Sequence, residues 1–427
     1  MYLLSNTVRD YAWGSTTAIA GLLGYEPSGR PEAEMWIGAH PDASSKPVDG
    51  PDGENLASLI AADPIRALGA RSIESFGARL PYLLKVLAAA SPLSLQVHPR
   101  LDQAKAGFRA EEAAGVAPSA PHRNYKDDNH KPEMIFALTR FEALSGFRRP
   151  AAAAALFERL TALLAGSDAA EVTEQVAELL RVPDETEALS AAFARLITGG
   201  QDVRECVDAS AAAISAHSPA GRAARPGPEQ DAALATVVDL AAAYPSDPGV
   251  LISLMLNRVS LAPSEALYLP AGNVHAYLEG LGIEVMASSD NVLRGGLTPK
   301  HIDIPELLRT VVFESAGVPL LAPQESELGQ ELYRPPFAEF QLQRIDVARS
   351  VDDPTPEPVP IAQAGAAVVL VVRGSLTLDT PKGDLPLARG ESAFVPDAEA
   401  PALAHVGAEG VLAFAVTTGL GPESGLG

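Results

Sequence analysis

The sequence predicts a mainly β fold interrupted by a helical insertion, with two small β-barrels. Three observations predict it. Short apolar runs punctuated by proline and glycine fill the chain from Met1 to about Arg149 and again after Pro245, a texture of strands and turns. Between them, from Ala151 to about Tyr244, the chain becomes Ala-, Leu- and Glu-rich, with apolar residues at the three- and four-residue spacings of packed helices. Finally, the segment EALYLPAGNVH (265–275) is echoed by ESAFVPDAEAP (391–401).

Taken in order, residues 1–149 form the first part of a barrel, mostly strands and turns with an occasional helix. Residues 150–245 form the helical insertion, in which HSPAGRAARPGPEQ (217–230) reads as an exposed loop between two helices. Residues 246–322 complete the barrel and include a short helix near residues 305–311, and residues 323–427 form a C-terminal barrel. In the echo, Glu265, Leu269 and Pro270 fall on Glu391, Val395 and Pro396, so each copy is a β-rich run ending in a proline-initiated turn. His275 falls on Pro401, which cannot bind a metal. A duplicated barrel with a metal-free second copy is the reading that follows.

Composition narrows the function classes. A chain of 427 residues suggests two or three units of roughly 150 residues. Its 47% hydrophobic content, without an apolar run long enough to cross a bilayer, describes a soluble globular protein. The opening MYLLSNTVRD lacks the pattern of a secretory signal, so a cytoplasmic location is expected. Cys206, the only cysteine, reads as a small packed side chain. Thirty-two Lys and Arg against 54 Asp and Glu give a net charge of -22, which opposes nucleic acid or an anionic membrane as partner. An anionic small molecule would need cations gathered locally, and several of the few lysines and arginines fall in the motifs below.

PLSLQVHPR (92–100) alternates as a strand, with Ser94, Gln96 and His98 on one face and Leu93, Leu95 and Val97 on the other. In DNHKPEMIFAL (128–138) Lys131 and Glu133 share one face, and Met134, Phe136 and Leu138 the other. In YLPAGNVHAYLEG (268–280) Pro270 and Gly272 form a turn, and His275 opens the returning strand. Gln96, His98, Glu133 and His275 make an N₂O₂ donor set that suits zinc or another borderline divalent metal better than magnesium. Each segment alone has a plainer account. A lone strand histidine is more often hydrogen-bonded in a core, and Glu133 could simply pair with Lys131. Three strands with polar faces and apolar backs, however, are what a ligand-lined barrel interior requires.

The segments YAWGS (11–15), EMWIGAHP (34–41), LPYLLKVL (80–87), SLQVHP (94–99), NHKPEM (129–134), LPAGNVHAYL (269–278) and SDNVLRGGLTPK (289–300), in that order, resemble the type I mannose-6-phosphate isomerase family of the cupin superfamily. The match loosens after about Leu320 and hardly extends into the insertion. The resemblance implies cupin-type, jelly-roll barrels and one zinc ion held by Gln96, His98, Glu133 and His275. It implies a phosphorylated hexose substrate, with mannose 6-phosphate and fructose 6-phosphate interconverted as a step feeding mannose and GDP-mannose metabolism. Oligomeric state is not readable from the sequence, although many members of the family are monomers.

Such a reaction moves a proton between C1 and C2 through a cis-enediol and needs a base, oxyanion stabilisation and a grip on the phosphate. By resemblance, Arg294 lies near the reacting carbons or the phosphate, Lys85 and Lys131 project into the site, and Glu284 and Asp290 hold those cations or shuttle protons. Ser94, Lys300, Trp13 and His130 are expected at the substrate, His130 facing away from Glu133 if the strand already begins there. Gly295 and Gly296 would allow close backbone approach. For the base, Lys85 with a pKa lowered by desolvation among other cations, or a zinc-linked water relay, ranks first and Glu284 second. Trp36 and His40 are explained equally well by packing. Two other readings compete: a different cupin metalloenzyme such as a dioxygenase, which favours histidine-rich open iron sites, and a non-catalytic sugar-binding barrel, which loss of Arg294, Lys131 or a ligand would favour.

Overall fold

A computed structural model describes residues 1–51, 53–217, 229–348 and 356–421. Among the described residues the strands form two ten-stranded sheets that share a core, and a helical insertion occupies the middle of the chain. Among the described residues no helix is long and apolar enough to cross a membrane.

At the centre of the first sheet lies the strand Tyr82–Ala89, with the sequence YLLKVLAA and every residue buried. A strand covered on both faces needs no polar alternation, so Lys85 is the exception in an apolar run. Leu84, Val86 and Ala88 join a core shared with Phe394, Phe414 and Val416 of the second sheet. Leu87 and Ala89 face a separate interior cluster with Ile135, Leu267 and Tyr277. Phe136 seals the joint between the sheets, its ring edge-on to Phe414 at 5.1 Å and to Tyr333 at 5.3 Å. Burying each such side chain stabilises the packing by about 2 kcal/mol.

The strand His275–Ala287 belongs to two neighbourhoods. Its first residues pair with Phe141–Phe147, and residues 280–287 pair with Tyr82–Ala89. It changes partners at Gly280, where φ is +136° and a Cβ would lie 2.6 Å from the Phe141 ring and 2.9 Å from the Arg140 carbonyl. Only glycine fits that bend. The bend lets one strand deliver His275 to one part of the site and Glu284 to another.

The insertion comprises helices Pro150–Leu163, Ala169–Leu179, Glu185–Ile197, Gln201–His217 and Glu229–Ala243. Of the loop expected over 217–230, residues 218–228 lie outside the described residues. Phe157, Phe193 and Leu240 pack in one core with Leu95, Val97 and Leu293. The insertion therefore braces the backs of the short strands Gln96–Val97 and Leu293–Arg294, whose opposite faces carry polar side chains. Cys206 is buried in the same core, and burial pushes its thiol up to about 11, as a packing residue requires.

More helix forms before residue 149 than expected, including Leu56–Ala62, Pro64–Leu68 and Leu101–Ala113. Local capping accounts for the first two: Asn55 accepts from the Ser58 N–H at 2.9 Å, and Asp63 accepts from the Arg66 N–H at 3.1 Å just before Pro64. A further short helix, Gly249–Ile252, precedes the strands that resume at Leu256.

The internal echo has a structural counterpart. Glu265 and Glu391 each accept the N–H three residues back, from Ala262 at 2.7 Å and Ala388 at 2.8 Å. Each opens onto a four-residue strand, Ala266–Leu269 or Ser392–Val395, that ends at Pro270 or Pro396. Where His275 opens the next strand of the first copy, the second copy has Pro401. The chain's first strand, Tyr2–Ser5, pairs with residues 392–394 and 46–47, so the N-terminus joins the sheet of the C-terminal part rather than that of the strand Thr7–Arg9 that follows it.

Candidate active site

His98 follows the strand Gln96–Val97, while Glu133 and His275 each open a strand of the first sheet. All three are buried, and their donor atoms lie within 4.8 Å of one another. Glu133 faces both rings, with Oε1 3.4 Å from His98 Nε2 and Oε2 3.4 Å from His275 Nε2. His98 Nδ1 lies 2.8 Å from the Asn291 carbonyl and His275 Nδ1 3.0 Å from the Asn273 carbonyl. A carbonyl only accepts, so Nδ1 carries the proton in each ring and both Nε2 lone pairs face the cluster. Among the described residues His98 Nε2 is buried without a hydrogen-bond partner, the mark of a group aimed at something other than protein. Two neutral imidazoles and a carboxylate fit one zinc ion. Gln96 sits directly opposite His275 on one side and Arg294 on the other, so the three side chains share a face.

The electrostatics favour a neutral His98 ring and an ionised Glu133. Burial pushes the His98 imidazole down to about 4. Burial alone would raise the Glu133 carboxyl, but Lys131, 2.9 Å away, and the two imidazoles hold it well below the usual carboxylate range. In the metal-free protein the His98 ring binds its proton near pH 4 when folded and near its ordinary 6.5 when unfolded. The unfolded chain thus holds more protons in that window, and the stability due to the neutral ring is present above pH 6.5 and lost as pH falls toward 4. Denaturant unfolding of the metal-free protein should weaken over this range by up to about 3 kcal/mol more in the wild type than in His98→Asn. Equal slopes for the two proteins would contradict this account.

Beside the three donors lies a second buried group. Lys85 Nζ is 3.0 Å from Glu284 and 3.4 Å from Glu34, with the ammonium 5.0 Å from the centre of the Trp36 ring. Trp36 Nε1 donates to Glu34 at 2.8 Å. The expectation that Lys85 loses its proton readily among cations is therefore corrected. Burial does pull its pKa down, but Glu284 and Glu34 outweigh burial and raise it. The Glu284 carboxyl is pushed up, first by burial and then by Glu133 and Glu34, against the pull of Lys85. Three buried carboxylates, Glu34, Glu133 and Glu284, thus face two buried ammoniums, Lys85 and Lys131. A divalent cation would turn that single negative excess into a positive one.

The remaining expected residues are spread around this centre. Arg294 is half-buried beside Gln96, and the charges of Arg294 and Lys126 act on exposed Lys300, lowering its pKa after burial. Asp290 lines a cavity of about 650 Å³ with His40, Asp42, Lys126 and Asp127, its Oδ1 3.6 Å from His40 Nε2. Ser94 is partly buried between Leu93 and Leu95. Trp13 stacks on Tyr11 at 5.7 Å and packs against the interior apolar cluster. His130 does not join the donor group: its Nε2 meets Glu339 of the C-terminal part at 2.5 Å. Gly296 is tightly placed, since a Cβ would lie 2.7 Å from the Gly249 backbone, whereas Gly295 has ordinary clearance. The close approach at this pair is thus to the protein's own chain.

Sequence reasoning missed Glu34, Tyr277, Asn291, Asp127 and Lys126. Period-two spacing in EMWI places Glu34 on the face of Trp36, which pairs with Lys85 across the sheet, and this was the available signal. Tyr277 lies two residues after His275, and its hydroxyl is buried. Burial followed by Glu284 and Glu133 raises its pKa, so the hydroxyl keeps its proton.

A β-rich fold in which two imidazoles and a carboxylate converge beside a buried lysine–carboxylate group defines a protein built around a metal-ion centre. Comparison with known proteins narrows the class. The phosphomannose isomerase type I catalytic-domain model matches residues 1–150. The mannose-6-phosphate isomerase of Escherichia coli is 40% identical over 405 residues, spanning 94% of this chain and 96% of the relative. The human mannose-6-phosphate isomerase is 32% identical over 417 residues, spanning 92% of this chain and 93% of the relative. A crystal structure of a lysine-to-alanine mutant of phosphomannose isomerase from Salmonella typhimurium superposes with a TM-score of 0.84 at 37% identity, covering 98% of this chain and all of that one. A mannose 6-phosphate isomerase crystallised with zinc and yttrium superposes with a TM-score of 0.81 at 38% identity, covering 97% of this chain and 98% of that one. The chain belongs to the mannose-6-phosphate isomerase family.

Proposed function

We propose that this protein is a zinc-dependent aldose–ketose isomerase that interconverts mannose 6-phosphate and fructose 6-phosphate by proton transfer through a cis-enediol. We read its frame as a cupin-type barrel from residues 1–149 and 246–322, carrying the insertion 150–245 and followed by a metal-free barrel, 323–427. The observation that carries the reading is the convergence of His98, Glu133 and His275 next to the buried Lys85–Glu284 pair. Family membership supports the substrate assignment.

Gln96, His98, Glu133 and His275 would hold the zinc, which when bound supplies Lewis-acid stabilisation of negative charge on the sugar oxygens. Glu284 serves as the base, because a carboxyl with a raised pKa accepts a carbon-bound proton more readily. It takes the C2 proton of the open-chain aldose while O1 gains a proton. In the second half O2 gives up its proton and C1 receives one, giving the ketose. Lys85, held cationic by its two carboxylates, steadies the developing oxyanion and keeps Glu284 in place. Lys131 fixes the Glu133 carboxylate. Arg294, Lys300 and Lys126 form the local cation group that an acidic chain needs in order to hold a phosphate. Asp290, which lines the cavity, would exchange protons with sugar hydroxyls.

Conversion followed in D₂O tests the reading. Mannose 6-phosphate should be turned into fructose 6-phosphate, with solvent deuterium entering at C1 and C2 as the reaction equilibrates. No conversion would contradict the activity, and conversion with complete retention of the original hydrogen would contradict proton transfer to a solvent-exchanging base.

A further inference from the structure

We propose that Asn291 is a positioning residue for the metal centre, an inference that rests on the zinc reading above and extends it. Asn291 is fully buried, and its backbone carbonyl accepts the Nδ1–H of His98 at 2.8 Å. Its side chain is used entirely on another loop. Oδ1 accepts the Lys126 N–H at 2.7 Å, and Nδ2 donates to the Asp127 and Asn129 carbonyls at 2.7 and 2.8 Å. Asp127 closes the clamp from the other side, accepting the Asp290 N–H at 2.7 Å, the Ser289 hydroxyl at 2.8 Å and the Asn129 N–H at 2.9 Å.

The clamped segment 126–129 leads within a few residues to Lys131 and Glu133. Asn291 therefore ties the carbonyl that orients one ligand, His98, to the stretch of chain that delivers another, Glu133. An asparagine is needed because the position demands one acceptor and two donors in a single short planar group. Aspartate has no donors, and an aliphatic side chain has neither. Groups that fix the ring orientation of a metal-bound histidine govern how tightly the metal is held.

Zinc affinity measured by competition with a chromophoric chelator, together with thermal unfolding of the metal-free protein, tests this on wild type, Asn291→Ala and the milder Asp127→Asn. Asn291→Ala is expected to hold zinc about 10–100-fold more weakly, and Asp127→Asn at least about threefold more weakly. A residue that merely staples two loops would lower the unfolding midpoint and leave the affinity of the folded protein unchanged. Wild-type affinity, within about twofold, in folded Asn291→Ala overturns the proposal. If that variant does not fold, unchanged affinity in Asp127→Asn overturns it and weakened affinity supports it. A wild type that binds no zinc is a separate result, visible before any variant is compared, and it removes the zinc reading and this inference together.

Discussion

His275→Ala is expected to abolish zinc binding and turnover together. The substitution removes one of two imidazoles whose Nε2 atoms face the Glu133 carboxylate, and the ring cannot be replaced from nearby, because Asn273 offers His275 only its carbonyl. Two strong donors and an amide are a poor zinc site. Metal content should fall from about one zinc per chain to nearly none, and kcat/KM by at least about a thousandfold, equivalent to roughly 4 kcal/mol of transition-state stabilisation. The fold should survive, because His275 sits at the end of its strand and the core beneath is apolar. Metal analysis and coupled turnover on one sample check both quantities. Retained zinc with lost turnover would place His275 in the chemistry rather than in the metal site.

Glu284→Gln is expected to separate chemistry from metal. Glu284 is 3.0 Å from Lys85, and none of the donor contacts around His98 and His275 depends on it. Zinc content should therefore stay near one per chain while kcat falls about 10²–10⁴-fold, the usual worth of a positioned general base. Lys85→Met removes the partner instead and leaves Glu284 and Glu34 buried without their cation, which should cost about 3–5 kcal/mol of stability. Near wild-type kcat in Glu284→Gln would return the base to Lys85 or to a zinc-linked water.

The polar faces of the segments that carry the expected donors were legible in the sequence because each is set by local alternation. Gln96 and His98 alternate with Leu95 and Val97, which do turn their side chains to the opposite core, although only Gln96–Val97 forms regular strand. Lys131 and Glu133 share a face as the alternation implied, and they touch at 2.9 Å. The environment of Lys85 was not legible. Its carboxylates come from Glu34 and Glu284 on two other strands, and only the registers Trp36 opposite Lys85 and Lys85 opposite Glu284 bring them together. Reading Lys85 among cations followed from seeing the cationic motifs without that pairing. The His130–Glu339 contact and the joining of Tyr2–Ser5 to the C-terminal sheet were hidden for the same reason, since both link segments hundreds of residues apart. The helical insertion announced itself by period, but what it braces, the backs of Leu95, Val97 and Leu293, is a property of packing alone.

The most direct test of the central claim is isomerase activity of the wild type before chelation, after zinc is stripped, and after zinc is restored. The account predicts about one zinc per chain, conversion of mannose 6-phosphate to fructose 6-phosphate that disappears on stripping, and recovery when zinc returns. Full activity in protein shown to be metal-free would contradict it.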